Sequence, residues 1–176
     1  MNIRPATPED VPQVVPMVRK IAAFHEAADP AKYSFRADPG EMYRGWLAKR
    51  ATDPRSVFLV ADAAGAGEPE PRLAGFLIGT VEPEIGIYKV REYGFVHDVW
   101  VDERYRNEGI GRQLVTLAVE RFGEIGVPQV RLDVLAGNDP ARGLFAACGF
   151  RPAVTEMLLE IGEVQGTEAR RHGGTK

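Results

Sequence analysis

Two glycines flanked by two arginines follow a short apolar strand and form the most informative pattern in the chain. After Val101 the sequence runs through Arg106-Asn107-Glu108-Gly109-Ile110-Gly111-Arg112 into an amphipathic segment. The first backbone N–H groups of a helix have no partner within it, and the helix dipole favours anions there. The glycines let a phosphate approach the backbone, and the two arginines can add charge-assisted hydrogen bonds. The pattern therefore predicts a phosphate or pyrophosphate site.

Two common phosphate loops do not match this stretch. A P-loop requires Lys and then Ser or Thr after its last glycine, whereas Arg112 and Gln113 follow Gly111 here. A dinucleotide fingerprint requires a third glycine three residues after the second, and that position is Leu114. The remaining alternative is that the two glycines only form a tight turn between strand and helix.

The apolar periodicity predicts the elements that must position this loop. It indicates a mixed α/β sheet in one domain, with a crossover unit over residues 101–130. We expect Pro16 to kink or restart the first helix, and the second helix to bury Met42, Trp46 and Leu47. We place the domain at residues 1–161, with a hairpin tip at 62–72 and a solvated tail at 162–176. The predicted helices cover about 8–22, 41–50, 114–125 and 140–147, with Thr7 as the cap of the first. The predicted strands cover 57–61, 73–81, 95–101, 130–134 and 152–161.

Composition excludes several classes of protein. The chain has 176 residues, of which 44% are hydrophobic and 27% charged, as in ordinary globular domains. A net charge of −3 argues against a dedicated nucleic-acid binder, and no apolar run approaches the ~18 residues of a membrane span. The one cysteine, Cys148, permits no internal disulfide, and the N-terminus lacks the apolar core of a signal peptide. We therefore expect a cytoplasmic protein without nucleic-acid or membrane partners. No metal is expected, because His25 and His172 have no partners at metal-ligand spacing.

Several motifs resemble one known family. The segment from Arg106 to Gly111 resembles the Arg/Gln-x-x-Gly-x-Gly/Ala signature of the GCN5-related N-acetyltransferases (GNAT), and Val101 stands at the family's usual distance before it. Downstream, Asn138, Ala141 and Gly149-Phe150 are similar to the family's Asn-x-x-Ala and Gly-Phe motifs. The resemblance spans residues 2–159. It implies an acyl-CoA N-acyltransferase fold, with a mostly antiparallel central sheet, a splayed parallel pair and helices on both faces.

The resemblance also implies how acetyl-coenzyme A (acetyl-CoA) binds. The backbone of residues 107–112 would hold the pyrophosphate, and the backbone of residues 99–101 would pair with the pantetheine arm in the gap between the splayed strands. The residues with expected cofactor contacts are Val99, Trp100, Val101, Arg106, Asn107, Glu108, Gly109, Ile110, Gly111, Arg112, Asn138 and Phe145.

His97 and Asp98, just before the cofactor strand, are the expected catalytic residues. Members of the family often carry Glu-Asp there, so His97 replaces a glutamate, and its pKa near neutrality suits a general base. Strand alternation predicts that the two side chains point to opposite faces, so that one of them reaches the acceptor. Alternatively, His97 packs in the core and Asp98 caps a backbone group.

The family's usual general acid is missing. A tyrosine often stands four residues before the glycine of Gly-Phe, and that position is Phe145 here. A phenyl ring cannot donate a proton, so water, another tyrosine or no acid would serve the thiolate. A thiolate leaves readily, because the pKa of a thiol is near 8.5.

The resemblance therefore implies transfer of an acetyl group from acetyl-CoA to a primary amine of a small molecule or protein, by direct attack in a ternary complex. Three alternatives stay open: a non-catalytic CoA-binding sensor, a transferase of a longer acyl group, and a nucleotide-binding module. The resemblance also leaves a homodimer open.

Overall fold

The computed structural model describes residues 2–63 and 72–161. The tail at 162–176 and most of the hairpin tip at 62–72, both named above, lie outside them. Within this part no helix has the length and apolar character that crossing a bilayer requires. The strands are β1 (Asn2–Pro5), β2 (Ser56–Asp62), β3 (Leu73–Pro83), β4 (Glu92–Val101) and β5 (Val130–Leu132), and the helices are α1 (Val11–Ala28), α2 (Pro39–Arg50), α3 (Ile110–Ile125) and α4 (Asp139–Ala147).

The strands form one sheet in the order β1-β2-β3-β4-β5. The first three pairings are antiparallel, and β4 and β5 are parallel, which confirms the predicted mixed sheet. The parallel pairing is short, because only Gly94–Val96 of β4 pair with Val130–Leu132 of β5. The following residues of the two strands, 97–101 and 133–135, do not pair with each other, which gives the splayed pair that the resemblance implied.

Helices cover both faces of the sheet, and each face has its own apolar core. Alternation along the strands sends one set of side chains, including Phe58, Phe76 and Ile78, against α1 and α2. The other set, including Leu59, Leu77 and Val96, packs against α3. The α1 and α2 side carries the candidate catalytic residues described below.

The N-terminal helices differ from expectation at two points. Helix α1 continues through Pro16 and does not restart there. Pro12 and Pro16 are both exposed, so the carbonyl that loses its N–H partner faces solvent, while the buried stripe holds the helix on its other side. In α2, Leu47 is fully buried and Trp46 packs against the core, but the prediction for Met42 was wrong because its side chain is 58% exposed.

The C-terminal elements are shorter than predicted. Strand β5 ends at Leu132, two residues early, because the chain leaves the sheet where the two parallel strands diverge. The predicted last strand at 152–161 is absent from the structure. That segment has no regular structure and is exposed throughout, including the apolar side chains of Val154, Met157 and Leu159.

Candidate functional site

A β-bulge in β4 places both candidate catalytic residues on the same face of the sheet. Asp98 lies opposite Ile78 and Val96 lies opposite Gly79, so His97 is an extra residue without a partner on β3. The His97 ring contacts Trp46 of α2. The Asp98 carboxyl acts electrostatically on Tyr43 of the same helix. The expectation of opposite faces was therefore wrong, because a bulge interrupts the alternation of a regular strand.

His97 lies in a half-buried pocket between two aromatic rings. Its ring stands edge-on to Trp46, with 5.2 Å between centroids, and to Phe95, at 5.1 Å. Its Nε2 is 2.6 Å from Oγ1 of Thr80 on β3, and the same hydroxyl donates to Oε1 of Glu82 at 2.5 Å. Burial lowers the pKa of His97, although the Glu82 carboxylate opposes that shift. The imidazole is therefore neutral at pH 7 and able to accept a proton.

Asp98 and Trp100 bring unpaired polar atoms to the same region. Oδ2 of Asp98 and Nε1 of Trp100 are buried, and neither has a hydrogen-bond partner within residues 2–63 and 72–161. Burial raises the pKa of the Asp98 carboxyl to about 6. Burial, and then the charge of Asp98, raises the pKa of Tyr43 to about 12. An unpaired buried acceptor is costly, which is expected at a site kept for a ligand.

The gap between β4 and β5 exposes backbone groups of β4. The N–H of Asp102 donates to the carbonyl of Ala74 at 2.8 Å, so alternation directs the peptide groups of Trp100 towards β3. Those of Val99 and Val101 therefore face the gap. A ligand lying in the gap would pair with the backbone of Val99 and Val101. The peptide groups of Trp100 point towards β3, so the predicted backbone contact of Trp100 with the ligand is not made in this arrangement.

The gap leads to the turn that begins α3. Asn107 and Gly109 both have left-handed backbone conformations, with φ of 65° and 80°. Helix α3 starts at Ile110, and Gly109, its N-cap, supplies no capping side chain. The backbone N–H groups of residues 109–112 thus lack intrahelical partners, which is the arrangement that binds phosphate.

The two glycines of this turn serve different purposes. A Cβ on Gly109 would meet only Nε2 of Gln113, at 3.8 Å, so the positive φ is what requires glycine. A Cβ on Gly111 would lie 3.2 Å from Cδ2 of Leu144 and 3.8 Å from a methyl of Val101. The close packing of α3 on α4 is therefore a further reason for glycine at 111, beside the phosphate access that the sequence predicts.

The charged side chains of the turn are exposed, and one of them is already engaged. Arg106 places its guanidinium 4.9 Å from the Trp100 ring centroid, and its Nε donates to the carbonyl of Val101 at 3.1 Å. Arg112 and Glu108 lie on the surface beside the helix start. Arg106 thus connects the turn to the end of β4.

Helix α4 positions the remaining predicted residues. Asn138 is its N-cap, and Oδ1 accepts from the backbone N–H of Ala141 at 3.2 Å. Phe145 packs on the α3 side of the sheet and lies edge-on to Phe150, with 5.9 Å between centroids. Cys148 ends the helix and is half-buried in the same apolar cluster. No group of three or more metal-ligating side chains occurs among the residues that the structure describes.

Sequence analysis missed Thr80 and Glu82, which contact His97. The available signal was weak: two polar residues alternate at the end of an otherwise apolar strand. Such alternation is typical of any solvated strand end, so only the register with β4 identifies these residues.

Comparisons with known proteins show which sequences and folds this chain is similar to. The model of the Acetyltransferase (GNAT) family matches residues 21–150. A mycothiol acetyltransferase of Corynebacterium aurimucosum is 34% identical over 64% of this chain, and the match covers 36% of that protein. A thialysine N-epsilon-acetyltransferase of Bos taurus is 28% identical over 84% of this chain and 82% of its own length. A solved Bacillus halodurans structure shares the fold, with a TM-score of 0.76 at 20% identity over 92% of this chain and 99% of that one.

Proposed function

Because the chain belongs to the acetyltransferase (GNAT) family, we propose that it transfers the acetyl group of acetyl-CoA to a primary amine, by direct attack in a ternary complex. The observation that carries the proposal is the gap between β4 and β5, which leads from His97 and Asp98 to the free N–H groups at the start of α3. The acceptor is the amine of a small molecule or of a protein.

The residues along the gap fit acetyl-CoA. The N–H groups of residues 109–112 would bind its pyrophosphate. The peptide group of Val99 and the N–H of Val101 match an extended amide-bearing arm, while the Val101 carbonyl already accepts from Arg106. Asn138 would contribute its side-chain amide, because its carbonyl oxygen already caps α4. Acetyl-CoA supplies the activated acetyl thioester.

His97 is the proposed general base. An alkyl amine with a pKa near 10.4 is protonated at pH 7, and forming its neutral state costs about 4–5 kcal/mol. The neutral imidazole of His97 can accept the proton that the amine loses. The Asp98 carboxylate, ionised above a pKa of about 6, would attract the ammonium form of the acceptor to the same face.

No side chain is assigned as general acid. Phe145 occupies the position where the family often has tyrosine, and it packs into the apolar cluster of α3 and α4. Water would protonate the departing thiolate. This feature motivates the alternative of a CoA-binding sensor on the same fold, and a wider cleft beside Trp100 would suit a longer acyl group. The cytoplasmic location and the homodimer stay predictions.

The test measures thiol release from acetyl-CoA with lysine, thialysine, a polyamine, an aminoglycoside and lysine-bearing peptides. We expect amine-dependent release, and a loss of about 10²–10⁴-fold in kcat for His97→Asn. The matched control is His25→Asn. His25 is a second half-buried histidine, stacked on Tyr33 at 4.7 Å, and this substitution should leave kcat within about twofold. Cofactor binding without release on any amine would favour the sensor. Release that persists in His97→Asn would remove His97 as the base.

A further inference from the structure

The hydroxyl of Thr80 lies between the His97 imidazole and the Glu82 carboxylate. Its Oγ1 is 2.6 Å from Nε2 of His97 and 2.5 Å from Oε1 of Glu82. Thr80 is 4% exposed, so water does not compete for the hydroxyl, whereas the Glu82 side chain is 40% exposed. The three groups therefore form a short chain of hydrogen bonds from a half-buried ring to the surface.

The directions of these hydrogen bonds follow from the number of protons available. A carboxylate can only accept, so the single proton of the Thr80 hydroxyl points to Glu82. The same oxygen must then accept from His97, which requires a proton on Nε2. A neutral imidazole carries one N–H, so Nδ1 has a free lone pair. No hydrogen-bond partner of Nδ1 occurs within residues 2–63 and 72–161.

We infer that Thr80 and Glu82 are positioning residues, which hold His97 as the Nε2–H tautomer and leave Nδ1 as the atom that accepts the amine's proton. The inference rests on the proposed function, in which His97 is the base. The amine nitrogen bonds to the acetyl carbon and gives its proton to Nδ1, while the carbon–sulfur bond pair leaves with sulfur. Solvent then takes the proton from Nδ1. A water molecule protonates the thiolate, so charge and atoms balance.

The surroundings of the ring favour this role. Trp46 from α2 and Phe95 from β4 flank the imidazole and restrict its rotation. Once Nδ1 is protonated, the imidazolium keeps its Nε2–H bond to Thr80, and the negative charge of Glu82 stabilises it. The charged groups that act on the ring are Glu82 from β3, which raises the pKa of His97, and Arg50 from α2, which lowers it.

The tautomer can be measured directly. In ¹⁵N-labelled wild-type protein at pH 8, long-range ¹H–¹⁵N NMR spectra should show Nδ1 of His97 unprotonated and Nε2 protonated. His25 and His172 serve as internal references, and His97→Asn assigns the signal. Thr80→Val removes the hydroxyl and should produce a mixture of tautomers, whereas Thr80→Ser should retain the wild-type spectrum. A predominant Nδ1–H tautomer in wild type, or an unchanged spectrum in Thr80→Val, would overturn the inference.

Kinetics then test whether positioning matters for the reaction. Thr80→Val should lower kcat by about tenfold or more without changing KM for acetyl-CoA, and Thr80→Ser should restore kcat. Glu82→Gln keeps an oxygen acceptor for Thr80 but removes the charge, so it should keep the tautomer and move the acid limb of the kcat profile to lower pH. An unchanged kcat in Thr80→Val would overturn the positioning role.

The two proposals fail in different ways. If the wild type has the Nε2–H tautomer and His97→Asn is fully active, His97 is not the base, and Thr80 and Glu82 have no role in the reaction. An inactive His97→Asn with an Nδ1–H tautomer would keep the base and overturn the roles of Thr80 and Glu82.

Discussion

The two ends of the β4–β5 gap are built in different ways. At the turn before α3, the proposed pyrophosphate binding relies on backbone N–H groups of consecutive residues, 109–112. In the middle of β4, side chains from three elements meet: His97 and Asp98 from β4, Thr80 from β3, and Trp46 from α2. The turn is thus a local structure, whereas the middle of the strand depends on tertiary packing.

The difference has energetic consequences. The turn has a glycine at the left-handed position 109, and its arginines are exposed. Both features therefore cost little folding free energy. The middle of β4 contains a buried carboxylate and a buried indole N–H without partners among the described residues. We therefore expect substitutions in the middle of β4 to lower activity and raise stability. Substitutions in the turn should change the affinity for acetyl-CoA.

The largest expected effect distinguishes two aspartates, Asp98 within β4 and Asp102 directly after it. Asp98→Asn should raise the free energy of unfolding at pH 8, by up to about 3 kcal/mol, because the charged form is disfavoured in the folded state. The folded-state pKa of about 6 lies above the unfolded value, so the gain should shrink as pH falls through 6 and vanish below about 4. Chemical denaturation at several pH values measures it.

Asp102→Asn is the matched control and should have the opposite sign. Hydrogen bonds from Arg104, together with Lys20, lower the pKa of Asp102 to about 2. Its stabilising contribution is present above the unfolded pKa near 4 and is lost as pH falls through about 2, so this variant should be less stable at pH 8, by about 1 kcal/mol. Equal effects of the two substitutions would contradict the opposite pKa shifts of the two carboxyls.

The next effect concerns the turn. Gly109→Val places a β-branched residue at a φ of 80° and strains the backbone by about 1–2 kcal/mol. We expect KM for acetyl-CoA to rise by about tenfold, with kcat within about twofold, in steady-state assays. Gly126, at the other end of α3, has a φ of 94° and open space around its Cβ position. Gly126→Val should lower Tm about as much as Gly109→Val does, without changing KM for acetyl-CoA. A similar rise in KM for both variants would indicate that any loss of α3 stability weakens binding.

The smallest effect is expected at Gly111. Its Cβ position lies 3.2 Å from Leu144, so Gly111→Ala requires a small movement of that side chain. The gain in helix propensity, about 0.5–1 kcal/mol, offsets much of this contact. Tm should therefore change by only a few degrees and KM for acetyl-CoA by less than about threefold. A large rise in KM would mean that phosphate access requires this glycine after all.

The same contrast explains what the sequence could predict. The turn, the order of the elements from α1 to α4 and the splayed pair follow from local periodicity and from motifs that resemble the family, and the structure agrees with them. Strand β1 was not predicted. The common face of His97 and Asp98 could not be predicted, because a bulge is defined by the register between two strands. The exposed segment 152–161 has the alternation of a strand, but no described strand pairs with it.

The bulge in β4 also adds the candidate base, His97, without changing which face the other strand residues occupy. Phe95 and Asp98 face α2, and Val96 and Val99 face α3, which is the alternation that a regular strand without His97 would have. His97 is thus an insertion of one side chain into a sheet that is complete without it. A chain shortened by this single residue would keep every other strand residue on its present face, and would lose the imidazole alone.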